Sequence, residues 1–293
     1  MKFKRFLKKL AIGFALAAGF YVGVDKLAPP SQLTEVFNNA AAIPEQQAKE
    51  YRVAGLEAPT AEEAKDLWRV RVGAWSIGLG GYHTFLEFSP YDQNDPAKMG
   101  EKNIYQLHGI ACDEVRHTWA LLDYKNPDSF SQYFNGDYIL KGMGSNEDHR
   151  RKYFQDPAVA FVDVFYGTKE EVLKKYLDGM EIIKTINDAN NPYILTAHNS
   201  NSTQQTLRKA LGLPEPEMFV DNRLMAVAGR LWTPGINKSL LPDGWKAEEV
   251  RAKADYKDFT AEQLEARARA VSGSDKMFAT FRTPPPQPPK PGA

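Results

Sequence analysis

The feature of this sequence that most constrains its fold is a set of short segments in which apolar and polar residues alternate. Residues 67–75 (LWRVRVGAW), 82–88 (YHTFLEF) and 103–109 (NIYQLHG) show this period of two. The Val- and Phe-rich segment 158–167 predicts a fourth strand. Alternation of this kind is typical of strands that bury one face and leave the other face half exposed. The sequence therefore predicts a small antiparallel sheet.

Helices are predicted to follow the last strand. Thr168 and Glu171 have the spacing of a capping box, and apolar residues at helical spacing continue to about Ile186. A shorter helix is predicted to begin in the Asn- and Ser-rich stretch around Ser200, because Asn and Ser cap helix starts. A second capping pattern, at Thr260, predicts a charged surface helix. Strands followed by helices indicate an α+β fold.

The overall charge argues against a nucleic-acid partner. Lys plus Arg number 37 and Asp plus Glu number 37, so no net charge attracts a polyanion. The single cysteine, Cys112, cannot form an internal disulfide. It lies near Asp113, Glu114 and His117, but one thiolate and one imidazole make a weak metal set. We therefore interpret Cys112 as a small apolar residue and predict neither a metal nor another cofactor.

The first residues of the chain have the pattern of an export signal or a membrane anchor. Five lysine and arginine residues between positions 2 and 9 precede an uncharged run at 10–24. As a helix this run spans about 22 Å, and flanking apolar residues extend it toward the roughly 30 Å of a bilayer core. Three interpretations of this run stay open: an uncleaved anchor, a cleaved signal peptide and a buried amphipathic helix. If the run is an anchor, the positive charges stay on the cytoplasmic side of a bacterial-type inner membrane. The bulk of the chain then lies in the periplasm or cell exterior.

Composition divides the chain into five segments. Residues 1–28 form the signal anchor or signal peptide, and residues 29–60, rich in Ala, Gln, Glu and Pro, form a linker or stalk. A domain is predicted at 61–215 and a partly helical extension at 216–282. The proline-rich residues 283–293 form an extended tail.

Three polar residues are candidates for chemistry: His83 and His108 on predicted strands, and Ser200 at a predicted helix start. Each alone has a structural explanation, as a core histidine, a turn residue and a cap. Their order resembles the circularly permuted papain-like fold. That group includes the PPPDE isopeptidases, the lecithin retinol acyltransferase-like enzymes and permuted relatives of the NlpC-type cell-wall peptidases.

The resemblance covers roughly residues 67–213 and includes a pattern of the type Tyr-x-Leu-x-x-x-Asn-Cys-Asn. The residues that match this pattern are Tyr193, Leu195, Asn199 and Asn201, with Ser200 in place of the cysteine. The resemblance implies that Ser200 is the nucleophile, that His83 is the base, and that His108 orients His83.

The serine leaves two hypotheses open. A serine hydroxyl must lose its proton to a base during attack, so the first is a Ser-His-His hydrolase of amide or ester bonds. Its nearest substrates outside a bacterial-type membrane are cell-wall peptides or acyl groups. The second is a catalytically silent, papain-like binding module that has lost its cysteine. His198 is a spare candidate base in the loop before Ser200.

Overall fold

The structure is a computed structural model, and it describes eleven stretches of the chain. These are residues 53, 55–60, 62–78, 81–91, 103–113, 118–119, 136–146, 160–194, 197–217, 219–220 and 231–272. The predicted anchor, most of the stalk and the proline-rich tail lie outside these residues, as do Glu114, His117 and Leu195. Within the described stretches, no helix has the length and apolar character needed to cross a bilayer.

The strands of the described residues form one sheet. Their bounds are β1 (Trp68–Gly78), β2 (Gly81–Pro90), β3 (Tyr105–Asp113), β4 (Thr118–Trp119), β5 (Ile139–Asn146), β6 (Ala160–Gly167), β7 (Phe219–Val220) and β8 (Leu231–Trp232). The main path is β4-β3-β2-β1-β6, and every pairing along it is antiparallel. Strand β5 pairs with β3. The short strands β7 and β8 add parallel pairs beside β2.

Two helices follow β6, as the sequence predicted, and two more follow the short strands β7 and β8. They are α1 (Lys169–Asp188), α2 (Ser200–Ala210), α3 (Ala247–Lys253) and α4 (Ala261–Val271), and a short 3-10 turn (Glu63–Lys65) precedes the sheet. The capping box of α1 is confirmed, because Thr168 Oγ1 accepts from Glu171 N and Glu171 Oε2 accepts from Thr168 N. The fold is therefore α+β, with an antiparallel sheet packed on helices.

The prediction that α4 is a surface helix is only half right. Its start is capped by Thr260, as the sequence predicted. However, the side chains of Leu264 and Ala268 are fully buried in the same core as the sheet and α1. Two apolar residues four positions apart lie on one face of a helix, so this charged helix still docks through a narrow apolar stripe.

Helices α1 and α2 pack on one face of the sheet, called here the helix face. Strand β5 was not predicted, and its glycines explain why. A Cβ on Gly142 would lie 2.9 Å from Ile183 Cγ1, and one on Gly144 would lie 2.5 Å from the Tyr176 hydroxyl. Because α1 approaches β5 this closely, the strand carries glycine where alternation would place apolar side chains.

The opposite face of the sheet, called here the polar face, is buried as well. Glu87, Gln106 and His108 project from this face, and each is at most 1% exposed. The prediction that the alternating strands leave a half-exposed face is therefore wrong. A buried polar group is costly unless it has a hydrogen-bond partner, and these side chains find their partners in one another.

Candidate functional site

The polar face begins with a largely buried ion pair between neighbouring strands. Arg71 on β1 lies directly opposite Glu87 on β2, and Glu87 lies opposite Gln106 on β3. Arg71 donates to Glu87 Oε1 from Nε at 2.7 Å and from Nη2 at 2.6 Å. Gln106 Nε2 donates to Glu87 Oε2 at 2.7 Å. Glu87 thereby fixes the orientation of the Gln106 amide, whose oxygen points away from it.

Two histidines continue this arrangement. His108 Nε2 lies 3.1 Å from Gln106 Oε1, and His83 Nε2 lies 3.2 Å from His108 Nδ1. An amide oxygen only accepts, so His108 carries its proton on Nε2. Its Nδ1, in a neutral ring, then accepts from His83 Nε2–H. We call Arg71, Glu87, Gln106, His108 and His83 the polar chain; it leaves Nδ1 as the basic nitrogen of His83.

Burial keeps His83 neutral. The ring is 8% exposed, and desolvation lowers its pKa to about 3. Phe85, two residues further along β2, stacks on His108 with centroids 4.9 Å apart, and the two imidazole rings lie 5.5 Å apart. At neutral pH, His83 is therefore an uncharged ring whose orientation is set by stacking and by the polar chain.

The helix start around Ser200 is capped by the residue before it. Asn199 Oδ1 accepts from Asn201 N at 2.8 Å and from Ser202 N at 3.2 Å. Ser202 Oγ accepts from Asn199 N at 2.7 Å, which completes a capping box. Ser200 is the first helical residue and is 3% exposed. The prediction that the Asn–Ser stretch contains the cap is confirmed, and the cap is Asn199.

Replacing Asn199 by Ala should therefore lower the free energy of unfolding by about 1–2 kcal/mol, because two helix N–H groups lose their acceptor. Ser200→Ala is the matched control, since Ser200 supplies no cap, and it should cost less. Urea denaturation of both variants measures the difference. Equal losses in the two variants would contradict the assignment of the cap to Asn199.

The start of helix α2 lies against the sheet at the point where β2 and β3 separate. The two strands pair only between residues 86–88 and 105–107. Beyond this point Asn201 takes the place of a strand partner: its Oδ1 accepts from Thr84 N and Oγ1, both at 2.9 Å, and its Nδ2 donates to Tyr82 O at 3.0 Å. Asn201 thus holds the residues on both sides of His83.

Ser200 lies against the residue that follows His108. A Cβ on Gly109 would lie 3.0 Å from Ser200 Cα and 2.6 Å from Thr203 Cβ. The structure thus brings the backbone of the three predicted site residues together. Their side chains differ in direction: Thr84 and Gly109 face α2, so their neighbours His83 and His108 point to the polar face. Among the described residues, the Ser200 hydroxyl makes no hydrogen bond to either histidine.

Gly109→Ala should disrupt this approach and lower the free energy of unfolding by about 1–3 kcal/mol, because the added methyl overlaps α2. Thr203→Ala should restore part of the loss in the double variant, since it removes Thr203 Oγ1, the atom that lies nearest to the added methyl. Thermal unfolding of the three variants measures the coupling. Strictly additive losses would show that Gly109 and Thr203 do not meet.

The remaining candidates are not members of the polar chain. His198 stands in the loop before α2, where its carbonyl accepts from Ile194 N at 2.8 Å. Cys112 is buried in a small cluster with Ile110 and Met143, which fits its interpretation as an apolar residue.

Sequence reasoning missed Arg71, Glu87 and Gln106. Their signal was present, because all three are polar residues at alternating positions of predicted strands. Only the strand register shows that they meet.

Comparison of the chain with family models, with curated proteins and with solved structures finds no match.

Proposed function

We propose that this chain is a membrane-anchored, extracytoplasmic hydrolase of amide or ester bonds with a permuted papain-like fold. The observation that carries the proposal is the polar chain, which orients a neutral His83 at the gap that the start of α2 enters. An orienting chain behind a histidine and a hydroxyl at the N-terminus of a neighbouring helix are both elements of serine-based acyl transfer, and the reaction requires the His83 ring to turn from the polar face toward Ser200.

In the proposed reaction, Ser200 Oγ attacks the carbonyl carbon of the substrate while its proton passes to His83 Nδ1. The Ser200 N–H and the helix dipole stabilise the oxyanion. His83 then gives the proton to the leaving group, and water releases the acyl group from Ser200 by the same steps. A neutral histidine suits a serine nucleophile, since a thiolate–imidazolium pair would need His83 to be charged at rest.

The substrate class follows from location. The basic cluster before the apolar run at 10–24 supports an anchor with the domain on the outer side of the membrane. Cell-wall peptides and acylated compounds are the amide and ester substrates nearest to such a domain. The extension at 216–282 contributes to the site's surroundings, because Asn201 Nδ2 also donates to Pro234 O at 3.1 Å.

A serine-directed fluorophosphonate tests the proposal. It should label the wild-type chain and fail to label Ser200→Ala. In His83→Gln, the amide nitrogen replaces Nε2 as the donor to His108 but no base replaces Nδ1, so labelling should be strongly slowed. Since the pKa of His83 is about 3, the labelling rate of the wild type should not fall between pH 8 and pH 5. Labelling that persists in Ser200→Ala would overturn the proposal.

The second candidate is a silent papain-like module that binds a ligand without cleaving it. Two observations favour it: the Ser200 hydroxyl makes no hydrogen bond to His83 within the described part of the chain, and a histidine whose pKa is about 3 is a weak base. This candidate predicts no fluorophosphonate labelling at any pH between 5 and 8, with unchanged folding of the Ser200→Ala variant.

A further inference from the structure

A cleft of about 430 Å³ lies at the other end of α2 from Ser200. The end of α2, the segment 237–241 and the start of α3 form its walls. The lining residues used in the following argument are Gln205, Lys209, Lys238, Trp245, Lys246, Glu248 and Arg251. Its volume lies within the usual range for small-molecule sites.

The charge of this cleft differs from that of the chain. The whole sequence has equal numbers of basic and acidic residues, whereas the cleft has four cationic side chains and one carboxylate, Glu248. Within the described ranges, Lys209, Lys238 and Lys246 make no ion pair. Three unpaired ammonium groups around one concavity attract an anion.

A buried amide supplies an independent indication of a ligand. Gln205 is 2% exposed, and its Oε1 accepts from Arg208 Nε at 3.1 Å and from Nη2 at 2.6 Å. These bonds identify the other amide atom as nitrogen, and Gln205 Nε2 has no partner in the described structure. An unpaired buried donor is unfavourable, and an acceptor bound in the cleft would satisfy it.

The type of donor indicates the type of anion. Planar carboxylates are recognised best by the paired N–H groups of arginine. The fork of Arg251 is already in use, since Nε donates to Asp178 and Nη2 to Ala210 O. Instead, the cleft is lined by separate point donors, the three lysine side chains, together with the ring of Trp245, and lysines bind phosphate as point charges.

We propose that this cleft binds a phosphate group of a small anionic ligand, with Lys209 and Lys246 supplying charge and Gln205 Nε2 donating a hydrogen bond. The site is independent of the hydrolase proposed above. Ser200 begins α2, whereas Gln205 and Lys209 lie five and nine residues further along the helix, about 8 Å and about 14 Å away along its axis at 1.5 Å per residue.

Isothermal titration of the full-length chain in a neutral detergent tests the proposal, with inorganic pyrophosphate as the probe and malonate as a dicarboxylate comparison. Pyrophosphate should bind, and more tightly than malonate. Gln205→Glu keeps the acceptor for Arg208 but replaces the donor by an anion, and it should weaken pyrophosphate binding about tenfold or more. Lys209→Gln with Lys246→Gln should weaken it as well.

The matched control is Lys174→Gln with Lys184→Gln, which removes the same charge from α1. Both lysines are held in pairs on that helix, with Glu170 and Glu181. Binding should be unchanged in this control. Absence of pyrophosphate binding to the wild type would overturn the proposal, as would equal weakening in the control pair. Malonate binding as tight as that of pyrophosphate would overturn the assignment to phosphate.

Discussion

Replacing Glu87 by Gln should lower the free energy of unfolding by about 3 kcal/mol, because it leaves the charge of Arg71, whose side chain is only 14% exposed, without its partner. Glu87 is 0% exposed and accepts hydrogen bonds from both Arg71 and Gln106. In the variant the guanidinium of Arg71, which also lies 3.7 Å from the centroid of Phe161, keeps its charge but faces a neutral amide. The same substitution frees Gln106 to turn, so the orientation of His108 is lost as well.

Glu181→Gln is the matched control for Glu87→Gln. Glu181 pairs with the exposed Lys184 one turn away on α1, and such surface pairs contribute roughly 0–1 kcal/mol. Combining Arg71→Gln with Glu87→Gln should recover part of the stability, since no unpaired charge then remains. Guanidinium chloride denaturation of these variants measures the free energies. Equal losses for Glu87→Gln and Glu181→Gln would show that the polar chain does not hold the sheet.

Stability should also fall steeply as the pH drops from about 6.5 toward 3, and His83 should account for much of this slope. The folded chain keeps His83 neutral down to a pKa of about 3, while the unfolded chain protonates it below about 6.5. Between these values the unfolded chain binds more protons, so acid favours unfolding. The contribution of His83 is complete above pH 6.5 and is lost at up to about 1.4 kcal/mol per pH unit below it.

His83→Gln isolates this contribution from that of the carboxylates. The variant keeps a donor to His108 but has no group that titrates in this range. Its unfolding free energy should therefore depend less on pH than that of the wild type, and the two curves should converge toward pH 4. Urea titrations at pH 4, 5, 6 and 7 measure the curves. A constant offset between them at all four values would contradict a neutral, buried His83.

The parts of the fold that local sequence signals determine were predictable. Strands β1, β2 and β3 follow from periodicity, β6 follows from its Val- and Phe-rich composition, and the start of α1 follows from the Thr168–Glu171 capping box. Strand β5 escaped prediction because Gly142 and Gly144 are explained by the approach of α1, which is a long-range contact. The burial of the polar face was not predicted for the same reason. The alternation of apolar and polar residues distinguishes the two faces of a sheet but does not show what covers each face.

Three members of the candidate site were predictable from the sequence, but the connections between them were not. His83, His108 and Ser200 stand at two strands and a helix start, and the structure brings their backbones together. The role of Asn201 depends on the separation of β2 from β3, which no local pattern encodes. The links through Gln106 and Glu87 depend on strand register in the same way.

The acidity of a cysteine placed at position 200 tests the central claim that a helix start and His83 together form a nucleophile site. Ser200→Cys is made in a Cys112→Ala background, so that it is the only thiol, and its alkylation rate is followed against pH with and without His83→Gln. We expect a thiol pKa well below the usual 8.5 or so, because the helix N-terminus favours the thiolate and because a thiolate beside His83 would draw its proton onto this otherwise neutral ring, and a rise toward that value in His83→Gln. A thiol pKa at or above about 8.5 that is the same with and without His83 would contradict it.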